Sequence, residues 1–500
     1  MRRSCAVLFW SLGGCVLPDP NHCANLEGDA SCPDGQFCSS CLGSNAGCST
    51  DQPSAACAVP GEGQSQTSES SSSSTGEGGP GTSSVDECEG DGAVDACPSA
   101  RPVCSNRVCV SCVDTDVCGG DEVCIPEWDR CAECSPFLGE GCAENEWCGD
   151  DFSCGGCTRH EQCPDSACDL SRGECMSAER VFYVDSEVCP EVGLGTEADP
   201  FCELGTVLDL DNTPSGESSV AIVIGHGSEV YPENIELPGA WPRRLAVLGR
   251  GDVTIGLSSL DGPTFHVKTG SRLFLHNVTV TRSTDAGVRC ADAEVWVDES
   301  EVTQNAAGII AEGCRVTVRQ SIVSDNDGDG VSLAAMSALR LESSGIVGNG
   351  EPQTESVALR SNESSFDVAY STIVGNAAAL GPGGDAPQSS LLCTGGMGGP
   401  VRNSVVVAPE LTSISCPWAF FEASFIDTPG LDVPGSMITE NWDPTWFEDL
   451  DAHDIHIRNP DSNPWRELAL WGLEDPQRDL DGASRRAVPG TVGAAGADEP

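Results

Sequence analysis

Leu273-Phe-Leu-His-Asn-Val-Thr-Val280, Val295-Trp-Val-Asp-Glu-Ser-Glu-Val302, Val316-Thr-Val-Arg-Gln-Ser-Ile-Val323 and Leu339-Arg-Leu-Glu-Ser-Ser-Gly-Ile346 superimpose without a gap, and Phe366-Asp-Val-Ala-Tyr-Ser-Thr-Ile373 is a fifth copy. The aligned positions Val280, Val302, Val323, Ile346 and Ile373 step by 22, 21, 23 and 27 residues. A repeat in the low twenties marks a solenoid, in which each unit buries its apolar face only by stacking on the next. A leucine-rich repeat needs L-x-x-L-x-L, which is missing. The pattern V-x-V followed by S-x-I-V instead supplies short strands with alternate residues pointing inward. The expected fold is therefore all-β: a parallel β-helix with a coil period of about 22 residues.

Three residues beyond four of the aligned positions stand Asn305, Asn326, Asn349 and Asn376, with Ser283 in the first copy. Asparagines at one recurring turn stack their amides and tolerate left-handed backbone. Cys290 and Cys314 are 24 residues apart, and Cys393 and Cys416 are 23 apart. Each pair falls near one point on adjacent coils, and one coil rise suits a disulfide, so both bridges are expected. Cys189 and Cys202 are expected to close a loop at the first coil. Strands are read upstream at Val181–Val184, Val220–Ile224 and Leu245–Leu248.

Before Arg180 the texture is different. Residues 86–175 hold 16 of the 30 cysteines in a repeated unit. Cys112, Cys134 and Cys157 each open a four-cysteine copy, and Cys88, Cys97, Cys104 and Cys109 form a looser first one. Two bridges per unit are expected, with connectivity left open by the spacing. Thirty cysteines point to a disulfide framework in an oxidising compartment. Zinc is the alternative, but the Cys-rich half contains only His22 and His160. The C-x-x-C pairs Cys109/Cys112, Cys131/Cys134 and Cys154/Cys157 lie at unit junctions and lack the βαβ context of a redox motif. Residues 15–57 read as a small Cys-rich module and residues 58–85 as a Gly/Ser-rich linker that cannot bury a core.

At the start, Arg2 and Arg3, then the apolar run Cys5–Leu12, then Leu12-Gly13-Gly14-Cys15, read as a lipoprotein-type signal over residues 1–14. Lipidation is expected at Cys15. Setting aside Cys5 and Cys15 leaves 28 cysteines, an even number. No apolar run of about 18 residues or more spans a bilayer as a helix. Acidic residues outnumber basic ones 78 to 25, for a net charge of −53. Such a surface repels phosphate backbones and anionic headgroups, so nucleic acid is not an expected partner and membrane attachment has to be covalent.

Residues 180–500 resemble the right-handed parallel β-helix superfamily, the pectate-lyase-like fold. The resemblance begins with Phe182-Tyr-Val-Asp185, Gly195-Thr-Glu-Ala-Asp-Pro200 and Leu204, where a strand and a short helix cap the first coil. The C-terminus resembles the choice-of-anchor Q domain of surface-exported proteins through Asn403-Ser-Val-Val-Val407, His456, Asp479-Leu-Asp-Gly482, Arg485, Arg486, Val492-Gly-Ala494 and Gly496-Ala-Asp-Glu499. Asp498 stands where that family has an aromatic residue. The resemblance implies fold and location rather than an activity.

Candidate sites are few, and no catalytic set is assigned. Asp325-Asn-Asp-Gly-Asp-Gly330 matches the first half of a calcium loop, but Met336 stands where the bidentate Glu belongs. Asp325, Asp327 and Asp329 are thus read as a solvated turn, with calcium as the alternative and no other cofactor expected. Arg289, Arg315, Arg319, Arg340 and Arg360 lie on coils, where a lyase would place its base. The expected role is an ion pair. Asp479 and Asp481 are close together, as a glycosidase needs, but are read as a cap. His226, His266 and His276 are assigned to capping or ladder positions, and Trp418, Trp442, Trp446, Trp465 and Trp471 to a cover over the solenoid's open end. Together these readings describe a lipid-anchored protein of the cell envelope, at the outer membrane or cell surface. It presents a β-helix to an extended glycan or protein partner without turning it over. The alternatives are a carbohydrate-active enzyme, lyase or hydrolase, and a purely structural envelope component.

Overall fold

A residue every second position that is apolar, repeated with a corner every seven or so, makes a three-sided coil. The computed structural model describes residues 37–38, 48–49, 103–105, 108–110, 118, 123–125, 130–134, 142 and 146–148. It then describes 153–190, 193–210, 218–225, 230–237, 243–256, 261–350, 356–376, 390–407, 414–428, 436–438, 443–458, 463–472, 475–483, 485 and 492–498. Two units are separated by contact: residues 1–84 and residues 85–500. In the first, Phe37–Cys38 pairs antiparallel with Cys48–Ser49. The signal segment, Cys15 and the linker lie outside the described residues, as do His226, Trp442, Arg486 and Glu499.

In the second unit the solenoid runs from Val181–Val184 to Met437–Ile438 as one parallel hydrogen-bonded system. Three faces can be followed by register. Face A aligns Leu245, Leu273, Val295, Val316, Leu339 and Phe366. Face B aligns Val280, Val302, Val323, Ile346, Ile373, Val406 and Ile426. Face C aligns Phe265, Val288, Ile309, Val331, Leu359, Leu391 and Ile414. All of these residues are buried and form one continuous apolar interior. Their removal from water supplies most of the favourable energy of the fold.

Each corner is made the same way: a left-handed residue, then a small polar one that bonds the next coil. At the corner from face B to face C the left-handed residues are Arg282, Gln304, Asp325, Gly348 and Gly375. The asparagines follow them, so the left-handed backbone falls one residue earlier than the sequence reading placed it. Outside the left-handed region, each Asn keeps its amide inside the coil. There the Asn305 amide donates to Asn326 (3.0 Å), Asn326 to Asn349 (2.8 Å) and Asn349 to Asn376 (2.9 Å), and Ser283 N donates to Asn305 Oδ1. At the corner from A to B, left-handed Glu299, Gln320, Ser343, Tyr370, Asn403 and Ala423 each precede a serine. Backbone N–H groups of this column donate to Ser300, Ser321, Ser344, Ser371, Ser404 and Ser424 hydroxyls on the next coil. The corner from C to A repeats the device through Ser271, Cys314, Ser337 and Ser364. Buried corner amides thus find partners without water.

The N-terminal end is closed by the helix Leu204–Leu210, whose Leu204 and Val207 join the apolar interior. The Glu233 carboxylate accepts from Leu204 N and Gly205 N, both at 2.6 Å, and satisfies the helix's first amides. A Cys189–Cys202 disulfide ties the segment before it, and Cys290–Cys314 and Cys393–Cys416 bridge adjacent coils.

The Cys-rich units are small hairpins: Val103–Ser105 with Val108–Val110, Val123–Ile125 with Arg130–Ala132, Trp147–Cys148 with Cys154–Gly155, and Cys168–Asp169 with Glu174–Cys175. Their bridges join the first cysteine to the third and the second to the fourth: Cys134–Cys148 with Cys142–Cys154, and Cys157–Cys168 with Cys163–Cys175. Cys118–Cys131 fits the same scheme. These sulfurs lie close enough together to suggest a metal group, but a disulfide sulfur is no thiolate and holds no zinc.

Among the described residues, the tail tryptophans do not cover the open end. Trp446, Trp465 and Trp471 anchor the C-terminal tail, residues 443–498, on the outside of face B, against Val347, Tyr370, Val374, Val405 and Phe425. Aromatic rings that large bury more area on a broad flank than at a narrow end. Trp418 stays 41% exposed on the last coils. The tail signature builds the anchor's hub. Arg485 is fully buried, donates to the carbonyls of Gly496 and Ala497, and lies 4.5 Å over the Tyr370 ring. Asp479 accepts from Ala483 N, and Gly482 takes the left-handed conformation that the turn requires.

Candidate functional site

Outward-facing residues on face A form columns one coil apart. One column reads Leu248, His276, Asp298, Arg319 and Glu342. With coils about 4.8 Å apart, these alternating charges are neighbours by construction. Arg319 grips Asp298 with two hydrogen bonds of 2.7 and 2.8 Å.

The last Cys-rich hairpin unit, residues 157–175, packs on this column. Its Glu161 meets His276 Nε2 at 2.9 Å, its Thr158 carbonyl accepts from Arg319 at 3.1 Å, and its Asp169 pairs with Arg244 at 2.6 Å. Ala167 and Met176 touch Ala221, Ala246 and Phe274 beside the charges, and the His160 ring stands edge-on to Phe274. Asp298 is only 3% exposed.

Burial by itself pushes the His276 pKa down, but the Asp298 carboxylate 3.7 Å from Nδ1 and the contact of Nε2 with Glu161 outweigh that and raise it to about 10. The hydrogen bond from His276 brings Glu161 down to about 2. Burial opposes ionisation of Asp298, yet the charge and hydrogen bonds of Arg319 hold it well below the usual carboxylate range. His160, by contrast, is pushed down to about 4 by burial and by the charge on His276, and its Nδ1 accepts from Cys168 N. A protonated His276 between two carboxylates has no lone pair with which to take a proton from a substrate. The cluster is a fastening between module and solenoid. His276 thus holds a ladder position on face A, and the module's Glu161 makes it part of this fastening as well. His266 lies on face C, 4.0 Å from Glu236.

A second cluster lies where the tail crosses the A-to-B corner. His456 is held between Asp454 on Nδ1 (2.5 Å) and Asp481 on Nε2 (2.9 Å). Burial opposes its protonation, and the hydrogen bond to Asp454 raises its pKa overall. A cleft of about 510 Å³ opens beside it, with Glu299, Glu301 and Gln320 on the coil side and Leu480 and Asp481 on the tail side. Asp481 is therefore a wall of a cleft rather than a cap, while Asp479 is committed to its own turn.

The coil arginines are ion-paired: Arg289 with Asp285, Arg340 with Glu342 and Arg360 with Asp329. Arg315 is 70% exposed, with Glu294 at 3.8 Å. In the calcium-like loop, Asp329 is occupied by Arg360 and by Val357 N, and Asp325 faces His453 at 3.7 Å. Among the described residues, Asp325, Asp327 and Asp329 do not converge as one ligand group. The Glu161–His276 contact was beyond sequence reasoning. The serine column could have been found, since every aligned copy except the first places Ser at the same position.

Among known proteins, a family profile described as a right-handed beta helix region matches residues 253–398. The chain carries a right-handed parallel β-helix. Pectate lyase Pel9A is similar in structure over 64% of this chain and 96% of its own, at 13% identity and a TM-score of 0.37. The GH136 lacto-N-biosidase from Eubacterium ramulus is similar over 55% of this chain and 67% of its own, at 10% identity and a TM-score of 0.29. No curated protein matches. These likenesses concern the β-helix alone.

Proposed function

We propose that the protein is a lipid-anchored component of the bacterial cell envelope that presents its β-helix to an extended glycan or protein partner and does not turn the partner over. The observation that carries this reading is the fastening of Glu161, His276, Asp298 and Arg319. The residues whose protonation is most strongly shifted join a bridged module to a solenoid, a mechanical task. A stalk that grips the β-helix displays it at a defined attitude, and long coil faces with repeated polar side chains suit an extended ligand. The tail signature around Arg485 favours a choice-of-anchor Q domain, whose members are exported. Cys15 is the proposed lipid site, and two or more acyl chains give stable anchoring.

Expression in an exporting bacterium with an alkyne-tagged fatty acid tests the anchor. The wild-type chain should carry the label and sediment with membranes, and Cys15→Ser should abolish both. An unlabelled wild-type chain contradicts the reading. Incubation of the oxidised full chain with acidic and neutral polysaccharides, with and without calcium, tests the rest. New reducing ends or unsaturated products would establish an enzyme instead, lyase or hydrolase.

A further inference from the structure

The cleft at the A-to-B corner has a lining that the fastening of the tail does not use up. Its coil wall carries Asp252, Glu299 and Glu301, and its tail wall carries Asp481, whose side chain is 60% exposed. These carboxylates are acceptors. A donor stands beside them, the amide of Gln320, while both ring nitrogens of His456 are taken by Asp454 and Asp481. Gln320 is 6% exposed, and its Nε2 has no hydrogen-bond partner among the described residues. That amide lies in the wall facing the Gly482 turn, where a β-carbon would approach it to 3.3 Å. A buried amide without a partner is unfavourable, so a group that accepts from it stabilises the site. Between the polar groups lie Val253, Ile322 and Leu480.

A bare cation fits this lining poorly, because an imidazole held toward its protonated form and an amide donor stand among the carboxylates. An acidic ligand fits it worse, facing the four carboxylates Asp252, Glu299, Glu301 and Asp481 on a chain of net charge −53. Hydroxyl groups donate to carboxylates and accept from an amide, and the C–H face of a sugar ring packs on aliphatic side chains. The volume is within the range of small-molecule sites.

We infer that this cleft is a binding site for a neutral saccharide, held by Asp481, Glu301 and Gln320 against Ile322 and Leu480. The site rests on the reading of the protein as a glycan binder and narrows it to one place and one class of sugar. It lies off face A, between face B and the tail.

The test uses the oxidised full-length protein. Neutral tetrasaccharides of β-linked glucose, galactose and mannose are titrated by calorimetry and by saturation-transfer NMR, beside tetragalacturonate. Asp481→Asn removes an exposed charge without changing shape, and Ile322→Trp fills the cleft. Both variants are first shown to keep the wild-type melting temperature and amide protection, and Leu480→Ala replaces either one that does not. At least one neutral tetrasaccharide should bind, tetragalacturonate should bind at least tenfold more weakly, and each variant should lose at least tenfold. Neutral binding that survives both substitutions overturns the site while leaving glycan binding intact. Preference for tetragalacturonate overturns the class of sugar. Absence of binding to every glycan by the folded protein overturns the site together with the glycan half of the parent reading and leaves a protein partner as its content.

Discussion

Two elements on either side of the solenoid in sequence hold onto its outside by different physics. The hairpin unit at residues 157–175 has few apolar side chains to offer. It grips face A through Glu161, Asp169 and the Thr158 carbonyl, with Ala167 and Met176 as a small dry patch. The tail is rich in aromatic residues, and it grips face B through Trp446, Phe447, Trp465 and Trp471, with the buried cation Arg485 at its hub. A covalently stapled module keeps its shape without a core, so its surface is free to carry charge. The tail has no disulfide among its described residues, and apolar burial has to shape it and attach it at once.

That contrast can be broken most severely at Trp465, which is 1% exposed and packs on Phe425 and Phe447. Trp465→Ala should cost about 3–5 kcal/mol. By hydrogen exchange, protection should vanish first over residues 443–498, while residues 157–175 stay protected. Simultaneous loss in both would show that the two attachments are one cooperative unit.

On the other side, Asp298→Ala leaves Arg319 and protonated His276 facing each other without their shared anion. Breaking such a buried pair costs about 3 kcal/mol. Limited proteolysis should then cut near residues 176–180 in the oxidised protein, with the tail still protected. An unchanged cleavage pattern would mean that the dry patch alone holds the module.

A smaller loss, about 2 kcal/mol, is expected for Asn349→Ala. This residue is fully buried, donates to the Val323 and Val347 carbonyls and accepts from Asn326. The denaturation midpoint should fall with neither attachment failing first, because the ladder belongs to the solenoid itself.

The mildest perturbation is pH. The His276 pKa is raised from 6.5 to about 10, so its contribution is full below pH 6.5 and is lost as pH rises through about 10. The Glu161 pKa is lowered from 4.5 to about 2, so its contribution is full above pH 4.5 and is lost as pH falls through about 2. Burial holds the His160 pKa down at about 4, so its cost to the folded state grows as pH falls from 6.5 toward 4. Amide protection of residues 157–175 should therefore be greatest near pH 6.5 and decline toward pH 4 and toward pH 10, with the tail much less affected. Equal decline in both elements would remove His276 from the account.

The solenoid was legible because its information is local and repeated. Val280, Val302, Val323, Ile346 and Ile373 mark the register in the sequence and pair in that order in the fold. Backbone geometry required one refinement: the residue before each asparagine, such as Gln304 or Asp325, takes the positive φ. The candidate sites were not legible. His276 reads as one more residue of a strand until Glu161 is brought to it, and Arg319 reaches a carbonyl 161 residues away. Asp481 was read as a cap because its own segment resembles a tail signature, and nothing in that segment says that it faces Glu301.

By itself, the sequence determined the coil. Apolar alternation, a period near 22 residues and recurring small polar residues fix which side chains point inward, since a strand has only two faces and a slip by one residue would expose the core. It also determined that the first half is stapled rather than packed, by its wealth of cysteine and poverty of large apolar residues. Only the tertiary structure decided what covers the outside. The outward faces of a coil carry no period that names a partner, and their charges acquire meaning when a distant segment removes water from around them. Burial turned His276 and Asp298 into a fastening, and the path of the tail turned His456, Asp481 and Gln320 into the walls of a cleft.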